Sequence, residues 1–159
     1  MAKVHKTNAM RMLEVAGVSY SAVTYEVDES DLSGVHAAEV MGADPDTIFK
    51  TLVLSTPSAG HVVCCIPVAE ELDLKKAAAA AGEKSLQMLP MKQLFSTTGY
   101  VRGGCSPLGM KKQFPTFIDE TAILFDQIGV SAGERGLQIL VNPEDLARVV
   151  HAPFVDLVH

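Results

Sequence analysis

The chain has 159 residues, 48% of them hydrophobic and 20% charged, a balance that suits a compact domain burying roughly 68–70% of its unfolded surface. Its net charge of −6 argues against a protein that grips a long nucleic-acid backbone, which needs a basic face, and leaves small ligands or a short contact with one nucleic-acid end. No apolar run approaches the roughly 18 residues of a membrane span, and Met1 to Lys6 has no apolar stretch behind it, so neither a membrane anchor nor a signal peptide is expected and the cytoplasm is the default.

No linker, charge block or repeat divides the chain, so residues 1–159 are read as one domain. Asn8 or Thr7 caps a first helix through about Ala16, with Ala9, Met12, Leu13 and Ala16 on one face and Gly17 as its stop. Tyr20 to Val27 alternates as a strand does, placing Val23, Tyr25 and Val27 on one side. Tyr25 there is either a core aromatic or a pocket wall. Gly34 to Met41 reads as a short helix closed by Gly42, with His36 exposed on it. Ile48 to Leu54 is apolar on both faces, as an interior strand is. Lys50 shares a face with Ile48, Leu52 and Leu54, so its ammonium must snorkel at an edge, meet an acid, or face a wet cavity.

The turn Pro57 to Gly60 leads into a partner strand, His61 to Pro67, opened by an exposed His61. Asp73 caps an alanine-rich helix, Lys75 to Ala81, ended by Gly82. Leu86 to Met88 reads as a short strand, Met91 to Phe95 as a short helix, and Thr116 to Asp119 and Gln127 to Val130 as strands. Ser131 to Gly136 reads as a glycine-bearing loop joining two antiparallel strands, the second being Leu137 to Val141. Asn142-Pro143 starts a last helix ending near Val150. Helices and hairpins mix without a βαβ rhythm, which predicts an α+β fold with a curved, partly closed mixed sheet and one face open as a pocket.

Cys64 and Cys65 are strand neighbours whose side chains leave opposite faces, and Cys105 stands alone. With no CxxC or HxxxH spacing, no metal site is assigned and no cofactor is expected. Cys105 lies in the segment with the densest chemical signal. There Gly103 and Gly104 are adjacent, Ser106-Pro107-Leu108-Gly109 has type I turn preferences, and Arg102, Lys111 and Lys112 flank the whole. A plain strand–turn connection accounts for the glycines. An anion or oxyanion cradle accounts for the glycines and the cations together.

Other pieces recur in order along the chain: Thr24-Tyr25, His36-Ala37-Ala38-Glu39, Phe49-Lys50-Thr51-Leu52, Leu72 to Lys76, Ser96 to Tyr100, Gly103-Gly104, Ser106 to Gly109, Lys111-Lys112, and Ser131 with Gly133, Arg135 and Gly136. In this ordered set the sequence resembles the YbaK-type aminoacyl-tRNA deacylases of the prolyl-tRNA synthetase editing-domain superfamily. The resemblance implies a barrel-like mixed β-sheet flanked by helices and removal of a wrong amino acid from tRNA in trans. Its cysteine-removing branch implies Cys-tRNA(Pro) as substrate. Lys50 would sit near the ester at the terminal adenosine, the Gly103 and Gly104 amides would face the scissile carbonyl, and Tyr25, Thr51 and Ser131 would line the pocket. Cys105 stands where an aliphatic residue is expected, and Gln138 where some relatives carry an acid.

No GxSxG and no Cys–His or Ser–His pairing supplies a nucleophile. A cysteinyl ester brings its own thiol, and attack on its own carbonyl draws much of its rate from proximity. An acidic protein should touch only the acceptor end of the tRNA, through Lys50, Arg102, Lys111 and Lys112, and gain tRNA selectivity from prolyl-tRNA synthetase. The competing readings are a deacylase for another small residue such as alanine, a non-catalytic nucleotide or aminoacyl binder, and a hydrolase using the Cys105 thiol.

Overall fold

The structure, a computed structural model, describes residues 5–159, so what was expected of Met1 to Val4 lies outside the described residues. Its helices begin and end where side chains satisfy the free backbone groups of the terminal turns. Thr7 caps α1 (Asn8–Val15) by accepting from the Met10 N–H, and Ser33 caps α2 (Gly34–Met41) by accepting from the His36 N–H. Asp73 accepts from two amides at the start of α3 (Leu74–Ala81), and Asn142 accepts from the Asp145 N–H at the start of α5 (Pro143–Val150). Gly42 and Gly82 close α2 and α3 in the left-handed conformation that favours glycine. In α1 the buried residues are Ala9, Met10 and Leu13; Ala16, expected on that face, falls in the cap and is exposed. A 3₁₀ turn, Met91–Gln93, runs into the short helix α4 (Leu94–Thr98), one turn longer than the sequence suggested.

The strands form two sheets. The first is antiparallel: β1 (Tyr20–Thr24), β7 (Leu137–Val141) and β6 (Ile128–Glu134) lie in that order. The second is mixed, in the order β4 (Gln87–Met88), β2 (Phe49–Ser55), β3 (His61–Pro67), β5 (Thr116–Asp119) and β8 (Phe154–Val155). β2 and β3 make the expected hairpin, with Lys50 opposite Ile66 and Thr51 opposite Cys65. β5 joins β3 in parallel, and β8 joins β5 in parallel. The sheets touch at one isolated bridge between Ile48 and Gly129. The α+β class is as expected. The single barrel-like sheet is not: two open sheets meet at a corner instead.

The loop expected over Ser131 to Gly136 is mostly strand. β6 continues to Glu134 through a bulge between Ser131 and Glu134, and Gly133 in that bulge has φ +107°. Only Arg135 and Gly136 make the turn. Most of the core lies between the antiparallel sheet, α1 and α5, where Leu13, Val130, Ile139 and Leu146 pack with Phe49 and Cys65. Cys64 points the other way, into a second cluster with Leu54, Ile66 and Ala77. The adjacent cysteines thus serve different cores, as period two requires. No described helix is long and apolar enough to cross a membrane.

Candidate functional site

On its outer edge β2 has a partner strand only at Leu54 and Ser55, where β4 pairs with it. The edge from Phe49 to Leu52 is left open, and a cavity of about 350 Å³ lies against it. That is within the range of small-ligand pockets. Lys50, Thr51 and Leu52 form one wall. Ser131 of β6, Gln138 of β7 and Tyr25, just beyond β1, come from the other sheet. Leu32, Ala37, Met91 and Leu94 add apolar surface, and Arg102, Gly103 and Cys105 bring the glycine loop to the rim. Of the readings left open for Lys50, the cavity is the one realised. The residue is half-buried, and no carboxylate lies within 4.0 Å of its ammonium among the described residues. Burial holds its pKa below the ordinary lysine value, against the opposing pull of Glu71 and Glu70.

The glycine pair divides its work. Gly103 has φ +84°, lines the cavity, and its N–H meets no acceptor among the described residues. Gly104 is buried outside the cavity lining, and its N–H closes a turn on the Val101 carbonyl at 3.0 Å. The expectation of two amides facing a substrate carbonyl therefore reduces to one, because the turn that presents Gly103 consumes the next N–H. Gly104 is needed for space: a Cβ there would stand 3.0 Å from the Arg135 backbone nitrogen and 3.1 Å from Glu134 backbone carbons. Arg135 fixes the same peptide unit from behind. Its Nε donates to the Arg102 carbonyl at 2.8 Å and its Nη1 to Glu29 at 3.0 Å. A charged donor on that carbonyl orients the Arg102–Gly103 peptide and polarises its N–H.

Ser131 Oγ accepts from the Gly133 N–H at 3.1 Å, which leaves its own proton for the cavity. Gln138, paired with Ser131 across the hairpin, is 6% exposed, and its Oε1 has no hydrogen-bond partner among the described residues. Such an orphan costs on the order of 1–3 kcal/mol, relieved when a donor enters. Cys105 lines the cavity, yet burial pushes its thiol pKa up to about 12, so it stays protonated near neutrality and is a poor nucleophile.

Tyr25, Lys50, Thr51, Arg102, Gly103 and Ser131 are thus brought together, and two expected residues are not. Gly104 is the first. Lys111 is the second: it lies outside the cavity with its Nζ 5.2 Å from the centre of the Phe95 ring. The aliphatic stem of Lys111 lies beside Gly99. His36, expected to be simply exposed, is partly covered and lies 3.9 Å from Asp28 and 3.8 Å from Asp31. The Ser106 to Gly109 turn is held by Ser106 Oγ accepting from the Leu108 N–H rather than by a main-chain bond across it. Leu32, Ala37, Met91 and Leu94 carried no chemical signal in the sequence. Gln138 was marked only by the resemblance, as standing where some relatives carry an acid; its pairing with Ser131 comes from the fold.

The description "Aminoacyl-tRNA editing domain" belongs to the family that matches residues 32–149 of the chain. A curated protein of Enterococcus faecalis, named "Putative Cys-tRNA(Pro)/Cys-tRNA(Cys) deacylase EbsC", is 48% identical over 152 residues, spanning 96% of this chain and 93% of that protein. A solved structure described as "a putative trans-editing enzyme for prolyl tRNA synthetase" superposes with a TM-score of 0.80 at 22% identity, over 96% of this chain and 95% of the other. A second, described as a hypothetical protein, gives a TM-score of 0.87 at 17% identity over 96% and 100%. These two likenesses show a shared fold.

Proposed function

Since the chain belongs to the aminoacyl-tRNA editing-domain family, we propose that it hydrolyses mischarged Cys-tRNA(Pro) in trans, in the cavity between Lys50 and Gly103. The relative named as a Cys-tRNA(Pro)/Cys-tRNA(Cys) deacylase supports the substrate. One observation carries the chemistry: an unpaired lysine on an open strand edge lines the same hollow as a backbone amide without an acceptor.

The terminal adenosine enters beside Lys50, and the cysteinyl group lies between Thr51, Ser131 and Gln138. Gln138 Oε1 accepts a hydrogen bond from the substrate's ammonium, which relieves the orphaned acceptor. The substrate's own sulfur attacks its carbonyl carbon, forming a C–S bond and a small ring. The Gly103 N–H meets the oxyanion. As the tetrahedral centre collapses, the carbonyl–ribose C–O bond breaks, and the proton lost by the thiol ends on the ribose oxygen by way of Lys50. Water later opens the strained thioester and releases cysteine. No protein nucleophile is needed, in keeping with the protonated state of Cys105.

Residues 1–159 act as one editing domain in this reading, in the cytoplasm where charged tRNA is found, and prolyl-tRNA synthetase supplies tRNA selectivity. The test is a comparison of tRNA(Pro) charged with cysteine, serine or alanine. Cysteine is released fastest, by about a hundredfold or more given the advantage of an intramolecular nucleophile. Equal release of serine or alanine would sink the self-attack mechanism.

A further inference from the structure

All 19 aspartates and glutamates of this acidic chain lie outside residues 84–118, a stretch that carries Lys84, Lys92, Arg102, Lys111 and Lys112. Elsewhere four cations are tied to carboxylates: Lys6 to Glu14, Lys76 to Asp156, Arg135 to Glu29 and Arg148 to Asp145. Lys92, Arg102, Lys111 and Lys112 have no carboxylate within 4.0 Å among the described residues. The same stretch exposes large apolar side chains, with Met91 57% and Phe95 59% open to solvent. It is continuous with the cavity, whose lining includes Met91, Leu94 and Arg102. Leu94 packs with Cys105 and Met110 against Val53, Val63 and Leu89, which leaves its neighbour Phe95 facing outward beneath the Lys111 ammonium. Asp28 and Asp31 line a small adjoining pocket that shares Tyr25, Leu32 and Gly103 with the cavity, and Glu29 is paired with Arg135.

An aromatic face interleaved with free cations is what single-stranded nucleic acid binds: bases stack on the ring, and phosphates meet the cations. A carboxylate-free stretch in an otherwise acidic chain sets the side from which a polyanion approaches. We propose that the surface formed by Met91, Lys92, Phe95, Lys111 and Lys112 is the landing site for the single-stranded 3′ end of the tRNA. Phe95 stacks against a base upstream of the terminal adenosine, and Lys111 and its neighbours hold the adjoining phosphates. The inference rests on the tRNA reading of the cavity and adds where the strand runs and what holds it.

Binding tests it without turnover. The probes are an uncharged RNA microhelix ending in a single-stranded 3′ tail and the same helix with the tail removed, titrated by fluorescence anisotropy at several salt concentrations. Phe95→Ala weakens the tailed microhelix about tenfold, from the loss of one stacked base, and Phe95→Tyr restores it. Lys111→Ala lowers the salt dependence of log K by about 0.7, one phosphate contact on a single strand. Both side chains are exposed, so the variants fold. Unchanged affinity in Phe95→Ala, or equal binding of the tailless helix, overturns the proposal and gives the patch to a protein partner. A chain that binds the tailed RNA through Phe95 yet leaves the cysteinyl ester intact sinks the deacylase reading and spares this one.

Discussion

An ammonium on a strand of phenylalanine, leucine and valine is costly unless water or a partner reaches it, and Lys50 meets that condition only because the strand edge beside it is unpaired. Burial lowers its pKa, so its neutral form appears at lower pH than for a free lysine. Where the charged form acts, deacylation falls as pH rises through this depressed value, while ionisation of the substrate thiol makes the rate rise on the acid side. A single-turnover pH series should therefore show a bell whose alkaline limb lies below the ordinary lysine range. Lys50→Ala should cost about 10²–10⁴ in rate, the usual scale for a lost acid–base group, and abolish that limb. An alkaline limb surviving in the variant would assign it elsewhere. Cys105 gives the converse prediction. Its thiol is held protonated, so Cys105→Ala keeps cysteine release within about twofold in the same assay.

At the scale of the element, the glycine loop is held by steric limits as much as by bonds. The atoms facing a Cβ at Gly104 are backbone and cannot rotate away, so Gly104→Ala should cost about 1–3 kcal/mol in urea unfolding and push the loop off β6. An unchanged midpoint would mean that β6 yields. The helices were legible because their signals are local: Thr7, Ser33, Asp73 and Asn142 are capping types, each followed by apolar spacing and a stop. β6 was not. Ser131-Ala132-Gly133-Glu134 has loop composition, and only pairing with β7 across a bulge makes it strand. β8 escaped notice because its two residues form only where β5 offers an edge. The site was half legible for the same reason. Lys50 and Gly103 announce themselves by residue type, whereas the exclusion of Lys111 and the closure of the Gly104 amide depend on contacts with Phe95 and Val101.

Over the whole molecule, buried thiols set the alkaline limit of stability. Burial raises Cys64 and Cys65 from 9.0 to about 12, so the folded state keeps these protons where the unfolded chain has lost them. Their contribution is fully present below about pH 9 and fades as pH climbs toward 12. Lys50, with its lowered pKa, works in the opposite direction over the alkaline range. Denaturant titrations from about pH 8 to 11 should show falling stability, and Cys64→Ala should flatten the decline; a flat wild-type curve would contradict it. The cavity also inherits something from the corner where the two sheets meet. Lys50 and Thr51 stand on one side of that seam and Ser131 and Gln138 on the other, with Ile48 and Gly129 at the joint. A methyl on Gly129 would fall 2.6 Å from Ile48 Cδ1. The width of the pocket and the room around Gln138 Oε1, 3.4 Å from that same methyl, are therefore both set by one small residue at the seam.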